Sequence, residues 1–371
     1  MKGLYFVNSD IENKRAHVFQ MLSTVEAIRP FLDLTLIFPW YGRKKYDLTK
    51  LFSVYGLKKE VPVIFQSAWG IKEACLKAFL AFDISAAGFL LKQRRRTQVD
   101  FIYFRSSLFF VLAIAAYWLG IPFFYEIHRK PLSWSERFRD SFLAKRAAGL
   151  IVISEVLKQH YLKYNKNILV VHDAVSLERF GQDIDKDLAR QKLGLAAGAL
   201  LGVYSGAIRK IKGVDVLIDA AKNLPWVNFE AIGPIDSEFK SAVIANFHLA
   251  GPKKQAEVPV FLAAADFLLL PHPENEYSQS PMKLFEYLAA GRPIISSDLP
   301  NIKEVLPLDG NLLFKPGNSE ILANTIKKYL ENRPFYDQAA RQNKEVAKEY
   351  TWKKRGEKIA NFIKQSLKKI N

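Results

Sequence analysis

Short runs of β-branched and aromatic residues alternate with longer amphipathic runs from the start of the chain; the alternation lapses after Val171 and restarts at Leu201. No other feature constrains the fold as much, because each parallel strand needs a crossover helix, and those helices must cover the faces of the sheet. Strands are expected at Leu4–Val7, Leu34–Phe38, Val63–Phe65, Phe101–Phe104, Phe123–Glu126, Leu150–Ile153 and Ile168–Val171, with helices near Ala16–Ile28, Ile71–Leu91, Leu108–Leu119 and Glu155–Tyr164. His172–Phe180 has no clear period and marks a hinge. After a polar helix the grammar repeats, with strands at Leu201–Tyr204, Val227–Ile232, Phe267–Leu270 and Pro293–Ser296 and helices from Val214, around Val258–Ala264 and from Pro281. Helices near Ser319–Glu331, Pro334–Tyr350 and Trp352–Lys369 end the chain and are expected to pack across the domain junction. The fold class is α/β: two facing Rossmann-like domains, residues 1–175 and 176–350, with a last helix at 351–371 returning to the first.

Length and composition agree with two cores, since 371 residues at 49% hydrophobic exceed what one core usually organises. The single cysteine, Cys75, excludes an intramolecular disulfide framework and a cysteine-based zinc site, which suits a reducing compartment. Met1-Lys-Gly leads straight into Leu4-Tyr-Phe-Val7, a first strand rather than a signal peptide. The apolar stretch Leu108–Tyr125 is cut by Gly120 and Pro122 into a helix and a strand, so a cytoplasmic chain is expected. A formal charge of +17 points to anionic partners. The clusters Arg43-Lys-Lys45 and Lys92-Gln-Arg-Arg-Arg96 lack aromatic-flanked RNA-binding signatures, so nucleic acid is not among the expected partners.

The richest stretch follows the strand ending at Leu270. A polar loop leads to Ser280-Pro281, which reads as an N-cap with proline in the first helical turn. Such a helix start offers free N–H groups and a positive dipole end to a phosphate. Glu286, roughly a turn and a half further on, could accept hydrogen bonds from ribose hydroxyls, or could be a helix-surface residue. Gly291-Arg-Pro293 stops the helix.

Ser280-Pro-Met-Lys-Leu-Phe-Glu-Tyr-Leu-Ala-Ala-Gly-Arg-Pro-Ile-Ile295 resembles the donor-site motif of the retaining glycosyltransferase family 4, glycosyl transferases group 1, of GT-B fold. Its hallmark is two glutamates eight positions apart; Glu286 matches the second, and Ser278 stands where many members have the first, with Glu274 and Glu276 nearby. The resemblance implies donor contacts from Ser278, Ser280, Pro281, Met282, Lys283 and Glu286. Tyr204-Ser-Gly-Ala-Ile-Arg-Lys-Ile-Lys-Gly-Val-Asp215 is similar to the family's diphosphate loop, implying roles for Gly206, Arg209 and Lys212, although the commonest arginine position falls on Ala207. Fixed cations there would stabilise the charge that develops on a leaving nucleotide diphosphate. Gly233-Pro234, Val258–Asp266 and Tyr350-Thr-Trp352 also look like family landmarks.

In the first domain, Glu126-Ile-His128 is similar to the family's Glu-x-His segment, whose histidine lies near the reacting centre; a histidine satisfied by local backbone is the alternative. Arg15 and His17 follow the first strand, where the family keeps a loop over the donor phosphates and acceptor; helix capping is the other reading. Arg105 ends another strand and is a weaker candidate of the same kind. The resemblance implies transfer of a sugar from a nucleotide-diphosphate-sugar donor to a hydroxyl of a glycan or lipid-linked acceptor, with retention. No metal and no cofactor beyond the donor substrate is implied, and the setting is the synthesis of cell-surface polysaccharide, lipopolysaccharide or glycolipid. A non-catalytic nucleotide-sugar-binding subunit and a sugar-nucleotide epimerase are the rival readings. Helix Ile71–Leu91, bearing Cys75, Leu76, Phe79, Leu80, Phe82, Phe89 and Leu90 ahead of Lys92-Gln-Arg-Arg-Arg96, could meet an anionic inner-membrane surface, or could be a core helix with a charged end.

Overall fold

A computed structural model of the chain describes residues 1–10, 16–40, 47–49, 52, 57, 61–67, 76–96, 98–239, 244–274 and 281–370. In order, the elements are β1 (Lys2–Phe6), α1 (Ala16–Ile28), β2 (Asp33–Trp40), β3 (Val63–Ser67), α2 (Leu76–Arg96), β4 (Phe101–Phe104), α3 (Phe110–Trp118), β5 (Phe123–Ile127), α4 (Trp134–Arg146), β6 (Gly149–Val152), α5 (Glu155–Tyr161) and β7 (Ile168–Val170). There follow α6 (Leu177–Phe180), α7 (Lys186–Lys192), β8 (Leu201–Ser205), α8 (Val214–Lys222), β9 (Asn228–Ile232), β10 (Phe247–Gly251), α9 (Val258–Ala264), β11 (Phe267–Leu270), α10 (Met282–Ala290) and β12 (Ile294–Ser297). The last are α11 (Pro300–Lys303), β13 (Leu312–Phe314), α12 (Ser319–Glu331), α13 (Arg333–Ala339), α14 (Gln342–Ala347) and α15 (Trp352–Ile370).

Two compact units result: Met1–His172 with Trp352–Asn371, and Asp173–Thr351. The first holds a parallel sheet of order β3-β2-β1-β4-β5-β6-β7, the second a parallel sheet of order β10-β9-β8-β11-β12-β13. Both are α/β, Rossmann-like sheets in which the first strand of each unit lies centrally and the chain winds outward both ways.

In the first unit, α1 and α15 cover one face, burying Val18, Leu22, Val25, Ile359 and Ile363 on Tyr5, Leu34 and Leu36. A Cβ at Gly356 would come within 2.5 Å of the Ala27 backbone, so α15 can lie this close to α1 only with glycine there. Helices α2 to α5 cover the other face through Ala78, Phe82, Leu90, Leu112, Leu143 and Tyr161. Phe82 and Leu90 are thus core residues, which for these two side chains is the core-helix alternative rather than the membrane-facing one; Cys75 lies outside the described residues, and nothing is described of the Leu76 side chain. In the second unit, Asp266 at the foot of β11 binds Lys186 of α7, Arg190 (2.8 Å), Arg333 of α13 and the backbone N–H of Leu201 (2.7 Å). Burial alone would raise its carboxyl, but these donors hold it below the usual range.

Several elements depart from expectation. Helix α4 was not anticipated, because its apolar residues are few and interrupted by charge; Ser133 caps it by accepting from the Glu136 N–H at 3.2 Å. The expected helix Pro334–Tyr350 is two, α13 and α14. Strands β10 and β13 are edge strands, of five and three residues, too short to show a period. Among the described residues no helix is long and apolar enough to cross a membrane.

Arg355 of α15 reaches the buried Glu126 of β5 at 2.5 Å and also donates to the carbonyls of Val171 (2.7 Å) and His172. Replacing Arg355 with Met would leave the Glu126 carboxylate buried and short of its countercharge. The expected cost is about 3–5 kcal/mol, read from denaturant unfolding, and adding Glu126→Gln should recover part of it.

Candidate functional site

Open parallel sheets bind ligands at the carboxyl ends of the strands where the winding reverses. That point lies between β1 and β4 in the first unit and between β8 and β11 in the second. Each unit gathers its candidate residues there.

In the second unit, β8 ends at Ser205, whose N–H donates to the Tyr287 hydroxyl of α10 at 2.7 Å. This bond ties the second half of α10 to the end of β8. Gly206 donates to Ile232 O (2.7 Å) and Gly233 to Gly251 O (2.9 Å), so the loops after β8 and β9 lie on each other. A Cβ on Gly233 would fall 1.9 Å from Gly206 O, and one on Gly206 would fall 2.0 Å from Lys283 Cε. Gly213 (φ 75°) closes the short 3₁₀ turn Lys210–Lys212, and a Cβ there would strike Pro271 O at 1.8 Å. Glycines therefore let the two loops, the end of β11 and the stem of Lys283 converge.

The cations differ in setting. Lys212 and Lys283 are half-buried. Arg209 is exposed, and its Nε pairs with Asp236 at 3.1 Å, so part of its charge is already spent locally. Met282 opens α10, but the cap position is held by Pro281 rather than by Ser280 as expected. Proline brings no capping oxygen, so its carbonyl alone serves the first turn, accepting from Leu284 N–H at 2.9 Å. Ser278, Ser280 and Glu276 lie outside the described residues, and Glu274 is exposed. Glu286 is half-buried, and no hydrogen bond or ion pair engages its carboxylate among the described residues. Burial pushes its pKa up to about 7 against the pull of Lys283 and Arg179.

In the first unit, Glu126 accepts from Tyr103 OH, from Arg355 (2.5 Å) and from His128 Nε2 (2.6 Å). Burial opposes its ionisation, but Arg355, His128 and Arg105 hold the carboxyl well below the usual range. For His128, burial and then Arg105 push the imidazole down to about 4, outweighing the opposite pull of Glu126. An ionised carboxylate only accepts, so Nε2 carries the proton and Nδ1 of the neutral ring is left as an acceptor. Arg105 donates to Gln20 Oε1 (3.2 Å) and His17 O (3.4 Å), while His17 Nε2 meets Ser9 Oγ at 2.8 Å. Arg105, after β4, thus acts by charge on His128, after β5, and by hydrogen bond holds the His17 carbonyl at the start of α1, while Arg15 lies outside the described residues.

Sequence reasoning missed four contributors. Tyr287 sits inside the quoted motif but reads as a core aromatic, and Arg179 stands in the aperiodic hinge segment. Tyr103 and Arg355 are 23 and 229 residues from Glu126, and no local pattern connects them.

The fold and the second unit's site define a class. Residues 200–332, within the second unit, match the model of the family described as Glycosyl transferases group 1, and the two Rossmann-like sheets have the fold found in GT-B glycosyltransferase structures. By sequence, the chain is similar to the putative teichuronic acid biosynthesis glycosyltransferase TuaC of Bacillus subtilis, 28% identical over 224 residues, 56% of this chain and 55% of that protein. It spans about half the length of the relatives it matches in sequence. By structure it is similar to sucrose-phosphate synthase from Thermosynechococcus elongatus (TM-score 0.79, 14% identity, 98% of this chain and 99% of that one). It is also similar to Anabaena Alr3699/HepE in complex with UDP and glucose (TM-score 0.76, 18% identity, 98% and 100%). At these identities the structural likeness is one of fold.

A carboxyl whose folded pKa lies above its unfolded value binds protons more readily in the native state, so its contribution turns unfavourable as pH rises from about 4.3 towards 7. Glu286→Gln should therefore gain stability relative to the parent across that window, on the order of 2 kcal/mol, and level off above it. Thermal unfolding at stepped pH measures the difference; parallel curves would refute the assignment.

Proposed function

We propose that the protein transfers a glycosyl group from a nucleotide-diphosphate-sugar donor to an acceptor hydroxyl, with retention of configuration and without a metal ion. The second unit is the donor-binding domain and the first the acceptor-binding domain. One observation carries the reading: glycine-permitted loops, the start of α10 at a proline with no capping side chain, Lys212, Lys283 and a half-buried Glu286 whose carboxylate no described residue engages converge where the winding of the second sheet reverses. Helix-start N–H groups and the two lysines suit a diphosphate, whose charge rises as the glycosidic bond breaks. Glu286, ionised once ribose hydroxyls donate to it, suits the nucleoside. In the first unit, neutral His128 offers Nδ1 as an acceptor to a sugar or acceptor hydroxyl, with Arg105 acting on it by charge. Glu274, Ser278 and Glu276 remain the candidates for the sugar end of the donor.

The relatives' names set the first substrates to try: UDP-sugars as donors, and lipid-linked or cell-surface glycan precursors as acceptors. In a panel of nucleotide sugars, one is expected to raise the melting temperature and to be hydrolysed slowly without acceptor, with no loss on adding a chelator. Lys283→Ala and Lys212→Ala should each weaken it about 10–100-fold, the worth of a charge-assisted hydrogen bond. Stabilisation by no nucleotide sugar would sink the reading. Donor binding without transfer to any acceptor would identify a binding subunit, and isomerisation without acceptor an epimerase.

A further inference from the structure

The outer surface of α2, α3 and α4 combines two features that rarely coincide. Trp118 and Trp134 are each 81% exposed and Leu132 78%, with Leu80, Ile84 and Phe138 also open on the same helical layer. In the second unit exposed apolar side chains such as Leu188, Trp226 and Phe335 stand singly on separate elements, which is ordinary for a protein surface. The layer is one piece: Phe110 of α3 packs on Phe142 of α4 (4.9 Å), Arg146 lies over Phe142 (3.8 Å) and Tyr117 (5.7 Å), and Trp134 stacks on Phe138 (6.5 Å).

Its charge is one-sided. The three helices hold nine basic residues and three carboxylates. None of the carboxylates faces outward unengaged. Asp83 is buried and caps α3 through the N–H groups of Val111 (2.8 Å) and Leu112 (2.9 Å). Asp140 is buried under the hydroxyls of Tyr125 (2.7 Å) and Tyr161 (2.5 Å). Glu136 is paired with Arg129 at 2.6 Å. Lys92, Arg94, Arg95 and Arg96 at the end of α2, and Arg137, Lys145 and Arg146 on α4, are exposed.

We propose that this helical layer is a docking surface for an anionic lipid bilayer. Tryptophan and leucine side chains gain by entering the headgroup boundary, and surrounding lysine and arginine by neutralising lipid phosphates. A second copy fits worse, because a two-fold contact would set two uniformly basic surfaces face to face. The patch is continuous with the candidate site: Arg129, which holds the first turn of α4 through Glu136, directly follows His128. Docking would bring the His128 end of β5 to the bilayer, where the acceptor hydroxyl of a lipid-linked glycan is presented, and in this respect the inference rests on the transferase reading.

The test uses the full chain and the double variant Trp134→Glu with Phe138→Glu, both exposed positions. The parent is expected to co-sediment with phosphatidylcholine vesicles containing phosphatidylglycerol, much less with phosphatidylcholine alone, and to be released by high salt. The variant should bind at least about tenfold more weakly, with unchanged melting temperature and unchanged stabilisation by nucleotide sugar. Absence of parent binding to anionic vesicles, undiminished binding by the variant, preference for single-stranded oligonucleotides over vesicles, or a parent dimer that the variant abolishes would each overturn the proposal. Loss of vesicle binding in the variant, with no nucleotide sugar stabilising either protein, would uphold the docking surface and remove the transferase reading alone.

Discussion

The first unit depends on one buried carboxylate. Glu126 must be ionised to satisfy Arg355, and Arg355 must be present for the carboxylate to be tolerated away from water. The same pair joins α15, the last helix of the chain, to the central strand β5 and to the carbonyls at the end of the first run of chain. Because Glu126 also accepts a hydrogen bond from Nε2 of His128, the interaction that closes the fold sets the tautomer of that histidine. Stability and site geometry are therefore not separable here.

In the second unit the division is cleaner. Asp266, at the amino end of β11, collects charged groups from α7 and α13 and fastens the foot of the sheet. The opposite end of the same strand, at Leu270–Pro271, meets the glycine loops and the start of α10. Parallel strands make this separation available, since structural cations can gather at one edge while the other presents loops and helix starts. Glu286 shows the consequence. No hydrogen bond or ion pair among the described residues engages its carboxylate at this edge, and burial raises its pKa to about 7.

How far the sequence could be read follows the range of the interactions. Strands such as Phe101–Phe104 and Phe267–Leu270 and helices such as Ala16–Ile28 and Ser319–Glu331 stand where periodicity placed them, because their burial pattern is written in neighbouring residues. Helix α4 and the edge strands β10 and β13 were illegible, as their stability comes from a surface to pack on or a strand to pair with. At the site, Glu286, Lys283, Lys212 and the glycines were visible as one local motif each. The state of each group was not: Arg209 is drawn off by Asp236, Pro281 takes the cap, and Tyr287 braces the loop.

The sequence by itself determined the α/β class, the repetition of that plan in two blocks, and the segments that carry chemistry, because strand and helix periods and loop motifs are local properties of the chain. Only the tertiary structure decided that Phe82 and Leu90 are core while Leu80 and Ile84 on the same helix face outward, and that Trp118, Trp134 and Phe138 share one basic surface. It alone paired Glu126 with Arg355 across 229 residues. The reason is physical: which face of a helix is covered, and which charge finds a partner, depend on what the fold brings alongside, and that information is absent from any short stretch of the chain.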